Sequence, residues 1–181
     1  MNVLLIYGTL FGSTSDIADF LEKMLLENNY QVDVYEVKDV DDVSPLQYDM
    51  IVFGSCVIAG SWVDGIESYL FKYSNEIIGK NVAFFVSCGE ALKTKRIPWI
   101  RKNYIEKKLE KYPGLMPISL GVFGGVFDFY GKHKNLENPY LNKIQKKLDE
   151  KGIDTRVPYD FRDWTSIQNW INKIVNVLKL T

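Results

Sequence analysis

Short apolar runs alternate with longer amphipathic stretches along the whole chain. Five segments are predicted as strands, because their apolar residues are continuous or alternate with a period of two. They are residues 3–7, 31–37, 50–54, 82–87 and 118–124. Five stretches carry apolar residues at the spacing of one helix face. They fall near residues 14–28, 63–73, 98–111, 140–151 and 164–179. This alternation of strands and helices predicts an α/β fold.

The character of each strand predicts its place in the sheet. Val32 and Val34 alternate with Asp33 and Tyr35, as in an edge strand, whereas the other strands are nearly continuous apolar runs that are buried on both faces. We therefore expect one domain over residues 1–181, with a five-stranded parallel sheet in the order 2-1-3-4-5 and helices on both faces. Asp163 is the predicted cap of the last helix.

A glycine- and hydroxyl-rich turn joins the first strand to the first helix. The start of a helix carries unpaired N–H groups and the positive end of a dipole, so it attracts phosphate. No lysine lies between Gly8 and Thr14, which excludes a nucleoside triphosphate loop. Gly8 and Gly12 are too far apart for a dinucleotide fingerprint. The turn predicts a cradle for a single phosphate monoester, formed by Thr9, Leu10, Phe11, Gly12, Ser13 and Thr14.

Three further loops are expected to meet this turn, because ligands bind where the strand order reverses, outside the carboxyl ends of the strands. Small residues in these loops let the backbone approach a flat ring. The third strand leads into Ser55, Cys56, Val57, Ile58, Ala59 and Gly60. The fourth leads into Ser87, Cys88 and Gly89, and the fifth into Gly124, Gly125, Val126 and Phe127. Either Ile58 or Trp62 is expected to cover one face of the ring, and either Trp99 or Phe127 is expected to cover the other.

Composition and charge exclude several classes of protein. No apolar run approaches the ~20 residues of a membrane span. Two cysteines without metal-ligand spacing favour a reducing, cytoplasmic setting, and no metal site is predicted. A net charge of −1 gives no general attraction to nucleic acid. A phospho-acceptor receiver domain shares the strand order but needs acidic residues after the first and third strands. Those positions hold Tyr7-Gly8-Thr9 and Gly54-Ser55-Cys56, which excludes a receiver domain.

A basic segment, residues 92–112, follows the fourth strand. From Glu90 to Tyr112 there are eight Lys or Arg residues against three Glu. The segment is either ordinary solvated surface or a docking surface for an anionic group near the ring: substrate carboxylates, an acidic protein or anionic lipid. A second small basic cluster, Lys132-His133-Lys134, follows the fifth strand.

The phosphate turn resembles that of the flavodoxins, whose usual form is Thr/Ser-x-Thr-Gly-x-Thr, with Phe11 in place of the middle threonine. A closer resemblance is to the flavodoxin-type, quinone-dependent protoporphyrinogen oxidases. It rests on Thr9-Leu10-Phe11-Gly12-Ser13-Thr14, Ile51-Val52-Phe53-Gly54-Ser55, Asp163-Trp164-x-x-Ile167, and the basic run Lys93-Thr94-Lys95-Arg96-Ile97-Pro98 followed by Arg101-Lys102. The resemblance implies a flavodoxin-like sandwich, FMN, a two-electron oxidation and a membrane quinone as acceptor.

Three functions remain open on these grounds. The first is an FMN-binding redox protein that carries electrons between redox partner proteins or to a quinone. The second is a protoporphyrinogen dehydrogenase with its porphyrinogen at the basic segment and peripheral contact with a membrane. The third is a binding module without flavin. The absence of a nucleophile–base constellation fits a protein whose cofactor supplies the chemistry. The oligomeric state stays open between monomer and homodimer.

Overall fold

The computed structural model describes residues 1–132 and 139–180. Its strands are β1 Asn2–Gly8, β2 Gln31–Glu36, β3 Met50–Ile58, β4 Ser61–Trp62, β5 Asn81–Ser87, β6 Ser119–Phe123, β7 Val126–Phe127 and β8 Tyr159–Asp160. Its α-helices are α1 Ser13–Glu27, α2 Ile66–Ile77, α3 Ile97–Ile100, α4 Lys107–Leu109, α5 Pro139–Asp149 and α6 Trp164–Leu178. His133 and Lys134 of the second basic cluster lie outside the described residues.

Five parallel strands form the sheet, in the order β2-β1-β3-β5-β6. This confirms the predicted order, and β2 lies at the edge as its alternating pattern indicated. The register places Leu5 beside Val52, and Val52 beside Ala83. The carboxyl ends of β1, β3 and β5 therefore meet at one edge of the sheet.

The sheet separates two apolar cores, because alternate residues of each buried strand point to opposite faces. On one face, Leu5 and Val52 pack with residues of α1 and α6. On the other face, Phe53 and Phe84 pack with residues of α2 and of the segment that contains α3. The two cores cover both sides of the sheet and confirm the α/β sandwich.

The last helix agrees closely with its prediction. The Asp163 carboxylate accepts a hydrogen bond from the Ser166 amide at 3.1 Å and so caps α6. The apolar face of α6 is buried along its length: Ile167, Ile171, Ile174, Val175 and Leu178. Among the described residues, no helix is both long and apolar enough to cross a lipid bilayer.

Two short antiparallel pairs were not predicted. The third strand continues past Gly54 and turns back, so that Val57 pairs with Trp62. The Val63 amide donates to Ser55 Oγ at 3.0 Å, and α2 begins at Ile66, after Gly65 as its N-cap residue, instead of at residue 63. The second pair, β7 with β8, lies beyond the fifth parallel strand.

The basic segment is helical but irregular, whereas the sequence pattern predicts one helix over residues 98–111. Two 3₁₀ turns, Gly89–Leu92 and Thr94–Arg96, lead into α3. A π-helix, Arg101–Glu106, then joins α3 to α4. In this path the Tyr104 carbonyl accepts a hydrogen bond from the Trp62 indole N–H at 2.6 Å. That bond ties the basic segment to the β3–β4 hairpin.

Candidate functional site

A cleft of about 690 Å³ opens at the carboxyl ends of β1, β3 and β5. Residues from all four predicted loops line it. Phe11 and Ser13 come from the turn after β1. The β3–β4 hairpin contributes Cys56, Val57, Ile58, Ala59 and Gly60, and the loop after β5 contributes Ser87, Cys88 and Gly89. Gly125, Val126 and Phe127 close the side beyond β6.

Six predicted residues fall outside the described lining, and Leu10 among them is exposed: Thr9, Leu10, Gly12, Thr14, Ser55 and Gly124. Thr14 is fully buried and shares a hydrogen bond with Ser87 Oγ at 2.9 Å. Ser55 Oγ donates to the Cys56 carbonyl and accepts from Val63. Gly124 packs against the Phe161 backbone so closely that a Cβ would lie 1.9 Å from the Phe161 oxygen. Thr14, Ser55 and Gly124 therefore support the loops that form the cleft wall.

The turn after β1 presents neutral hydrogen-bond donors at the start of α1. Gly12, in the left-handed conformation with φ 84°, is the N-cap residue and leads directly into Ser13. Thr9 Oγ1 accepts the Gly12 N–H at 2.9 Å, which leaves the Thr9 hydroxyl proton available as a donor. Among the described residues, the charged members of the cleft lining come from the basic segment and the turn that leads into it: Glu90, Lys93 and Arg96.

The β3–β4 hairpin has a tight two-residue turn at the cleft wall. Ala59 and Gly60 both have positive φ, 50° and 84°, as in the turns whose twist matches a hairpin. Glycine adopts this conformation freely, whereas alanine pays a cost of about 1 kcal/mol. The turn is therefore a strained element at the edge of the cleft.

The basic segment contributes lining residues that the sequence prediction missed: Glu90, Leu92, Lys93, Arg96 and Tyr104. The run of lysines and arginines in the sequence indicated that this segment could lie near the ring, but it did not indicate which of its residues line the cleft. Arg96 pairs with Glu90 at 2.6 Å, and its guanidinium lies 4.1 Å from the centre of the Trp99 ring. The Tyr104 hydroxyl donates to Glu90 at 3.3 Å. Leu141 of α5 completes the lining.

Both cysteines are free, buried thiols in the cleft wall. Burial raises the pKa of Cys56 to about 11, although hydrogen bonds from the Leu10 amide and the Thr14 hydroxyl oppose part of the shift. Burial also raises the pKa of Cys88. Both side chains are therefore protonated at neutral pH and act as small apolar groups instead of nucleophiles.

The structure separates the four aromatic and aliphatic candidates for covering a flat ring. Ile58 and Phe127 line the cleft. Trp62 is buried against Phe84, with ring centres 6.0 Å apart, and lies in the core. Trp99 is exposed outside the cleft, and its ring makes a cation–π contact with the Arg96 guanidinium. Ile58 and Phe127 are thus the two candidates in position.

A profile of the Flavodoxin domain family matches residues 4–154, and the chain belongs to that family. Family membership indicates a flavin site. Over nearly its whole length the chain is similar to the protoporphyrinogen IX dehydrogenase (quinone) of Escherichia coli K12. The two are 23% identical over 178 residues, which cover 98% of this chain and 96% of the relative.

Two solved structures share the fold. The two-electron reduced flavodoxin of Megasphaera elsdenii has a TM-score of 0.52 and 18% identity, covering 82% of this chain and 98% of its own. A flavoprotein of Lactobacillus acidophilus in complex with FMN has a TM-score of 0.50 and 18% identity, covering 67% of this chain and 92% of its own.

Proposed function

We propose that this chain binds FMN in the cleft and carries electrons between redox partners or to a quinone. The observation that carries the proposal is the convergence of the helix start of α1 with three small-residue loops on one cleft. Its volume, about 690 Å³, falls within the usual range of about 300–1,000 Å³ for cofactor sites. The space and the donor set both fit a mononucleotide.

The phosphate would lie at the turn after β1. Ser13 lines the cleft there, and the Thr9 hydroxyl keeps a free proton. Backbone N–H groups at the start of α1 supply further donors, and the helix dipole favours the negative charge. Thr14 shares a hydrogen bond with Ser87 in which either hydroxyl can be the donor, so the Thr14 proton would be available to the phosphate where Ser87 donates.

The ring would lie between the β3–β4 hairpin and the loop after β5. Ile58 and Phe127 would supply apolar cover, and Gly89 and Gly60 allow the backbone to approach closely. The Gly60 peptide lies in a tight turn, where reorientation would present its carbonyl to the edge of the ring. Bound FMN supplies electron and hydride exchange, while the chain holds the ring and excludes water from one side.

The test is the binding of FMN to the purified chain, measured by quenching of flavin fluorescence. Gly12→Val forces a β-branched residue into the left-handed region inside the phosphate turn and should weaken binding by at least about 100-fold. Gly79→Val is the matched control: Gly79 has φ 87° with nothing within 4 Å of a Cβ. Its backbone cost is similar, so its FMN affinity should match wild type. Absence of binding by wild type, or equal affinity in both variants, contradicts the proposal.

A second candidate function is a dehydrogenase that oxidises a carboxylate-bearing, porphyrinogen-like substrate and passes electrons to a quinone. Two observations favour it. The similar E. coli protein bears that activity in its name, and the similarity spans 98% of this chain. In addition, Lys93 and Arg96 stand in the cleft wall, where substrate carboxylates would meet them.

The dehydrogenase is tested anaerobically with protoporphyrinogen IX and a soluble quinone. The double variant Lys93→Gln/Arg96→Gln should raise KM by about tenfold, because each lost cation removes an interaction with a carboxylate. Lys95→Gln/Lys102→Gln is the control, since it makes the same charge change in the basic segment outside the cleft lining. Quinone reduction that requires no porphyrinogen supports the carrier, and equal KM in both double variants removes the assigned role of Lys93 and Arg96.

A further inference from the structure

Arg162 is a buried cation at the back of the first turn of α1. Only 7% of its side chain is exposed. Its Nε and Nη2 atoms bind both carboxylate oxygens of Asp160, at 2.9 and 2.6 Å. The guanidinium also lies 4.7 Å from the centre of the Trp164 ring. This bidentate, stacked arrangement holds the side chain in one geometry.

The third nitrogen of Arg162 faces the phosphate turn. Nη1 binds Asp16 Oδ2 at 2.8 Å and donates to the Ser13 carbonyl at 3.2 Å. Arg162 therefore contacts two residues of the first turn of α1, and one of them lines the cleft. The contact joins positions 146 residues apart in the chain.

The carboxylate of Asp16 lies at the helix start where an anion would bind, so its pairing with Arg162 affects the binding of that anion. A carboxylate in the first turn favours the helix, but it repels a phosphate at the same helix start. Lys132 also binds Asp16, at 2.6 Å, yet 77% of its side chain is exposed, so solvent and salt screen that pair. The buried Arg162 is the stronger counter-ion.

We infer that Arg162 is a positioning residue for the FMN phosphate, and this inference rests on the proposed FMN site. Arg162 does not touch the phosphate. Together with Lys132 it offsets the charges of Asp16 and Asp160, and it fixes the Ser13 carbonyl, so that the repulsion between Asp16 and a phosphate at the turn is reduced. Asp160 holds Arg162 in place from the opposite side.

A double-mutant cycle on FMN affinity tests the inference. Arg162→Gln should weaken FMN binding by about tenfold, because Asp16 then loses its buried counter-ion. Asp16→Asn should bind FMN at least as tightly as wild type. The double variant Arg162→Gln/Asp16→Asn should return to within about threefold of wild type, because the repelling charge has gone.

Further variants separate this role from a purely structural one. Arg162→Lys keeps the charge but loses the bidentate contact with Asp160, so its FMN affinity should lie between those of wild type and Arg162→Gln. Arg156→Gln is the matched control, because Arg156 makes a similar pair with Asp154 at the surface, with 82% of its side chain exposed. Riboflavin, which has no phosphate, should lose less affinity than FMN in Arg162→Gln.

The outcomes distinguish the two proposals. If wild type does not bind FMN, the proposed function fails. If wild type binds but Asp16→Asn fails to rescue Arg162→Gln, the positioning role is wrong and Arg162 serves only to join α1 to the chain before α6. An equal loss for FMN and riboflavin in Arg162→Gln overturns the inference in the same way.

Discussion

The reactivity of Cys56 offers a chemical measurement of the cleft wall. The residue is 7% exposed, and burial raises its pKa from the ordinary 9.0 to about 11. Its sulfur lies beside the Leu10 amide and the Thr14 hydroxyl, and therefore against the phosphate turn. We predict that Cys56 reacts slowly with a disulfide reagent at pH 8 and that its rate keeps rising well into the alkaline range.

The expected rate follows from two opposing effects. A pKa that is about two units higher lowers the thiolate fraction at pH 8 by about 100-fold. The more basic thiolate is also more nucleophilic, by about eightfold for a Brønsted slope of about 0.4–0.5. The intrinsic rate should therefore be about tenfold below that of an exposed cysteine, and burial lowers it further.

The assay uses Cys88→Ala, which leaves Cys56 as the sole thiol, with 5,5′-dithiobis(2-nitrobenzoate) between pH 7 and 10.5. The rate should rise about tenfold per pH unit up to about pH 10. The same protein in urea should react fast and level off near pH 9. Saturating FMN should slow the native reaction further. A native rate that levels off near pH 9 would refute the buried, raised-pKa assignment of this thiol.

Two further predictions concern stability. Because the pKa of Cys56 is raised in the folded protein, the protonated thiol contributes its full share of the free energy of unfolding below about pH 9, and this share is lost as the pH rises through about 11. In urea unfolding, wild type should lose up to about 2–3 kcal/mol over this range, and Cys56→Ala should lose less. Gly54→Ala should cost about 1–3 kcal/mol, because a Cβ would lie 2.1 Å from Cζ of the buried Phe85. Gly125→Ala, whose nearest neighbour is at 3.6 Å, is the control, and equal unfolding midpoints would contradict the packing argument.

The core of the fold follows from patterns that are local in the sequence. The strands β1, β3 and β5 are buried on both faces, and so each is nearly continuous in apolar residues. The edge strand β2 alternates because one face remains in contact with solvent. Strand order and handedness then follow from the rules for parallel sheets, which also predict the edge at which the site forms.

The details that shape the cleft depend on contacts between distant residues. The strands β4, β7 and β8 have two residues each, too short for a period to be seen. The hairpin turn uses Ala59 with φ 50°, a residue that gives no turn signal in sequence. The π-helix of the basic segment contains Tyr104, whose carbonyl accepts a hydrogen bond from Trp62, 42 residues away. The pairing of Arg162 with Asp16 is equally invisible to local patterns.

The distribution of charge around the cleft differs between the region proposed to hold the cofactor and the region proposed to meet an anionic partner. In the part of the chain that the structure describes, the lining at the turn after β1 is neutral, and the nearby Arg162 is paired with the carboxylates of Asp16 and Asp160. In the basic segment, Lys93 and Arg96 lie in the lining, and Glu90 is the one acid among the described lining residues. Interactions of exposed side-chain charges are screened within about 10 Å at 0.1 M salt, whereas interactions between partly buried groups are screened much less. The cofactor would therefore be held by the fold itself, and recognition of an anionic partner would fall to the basic segment, where single substitutions can alter it without loosening the turn after β1.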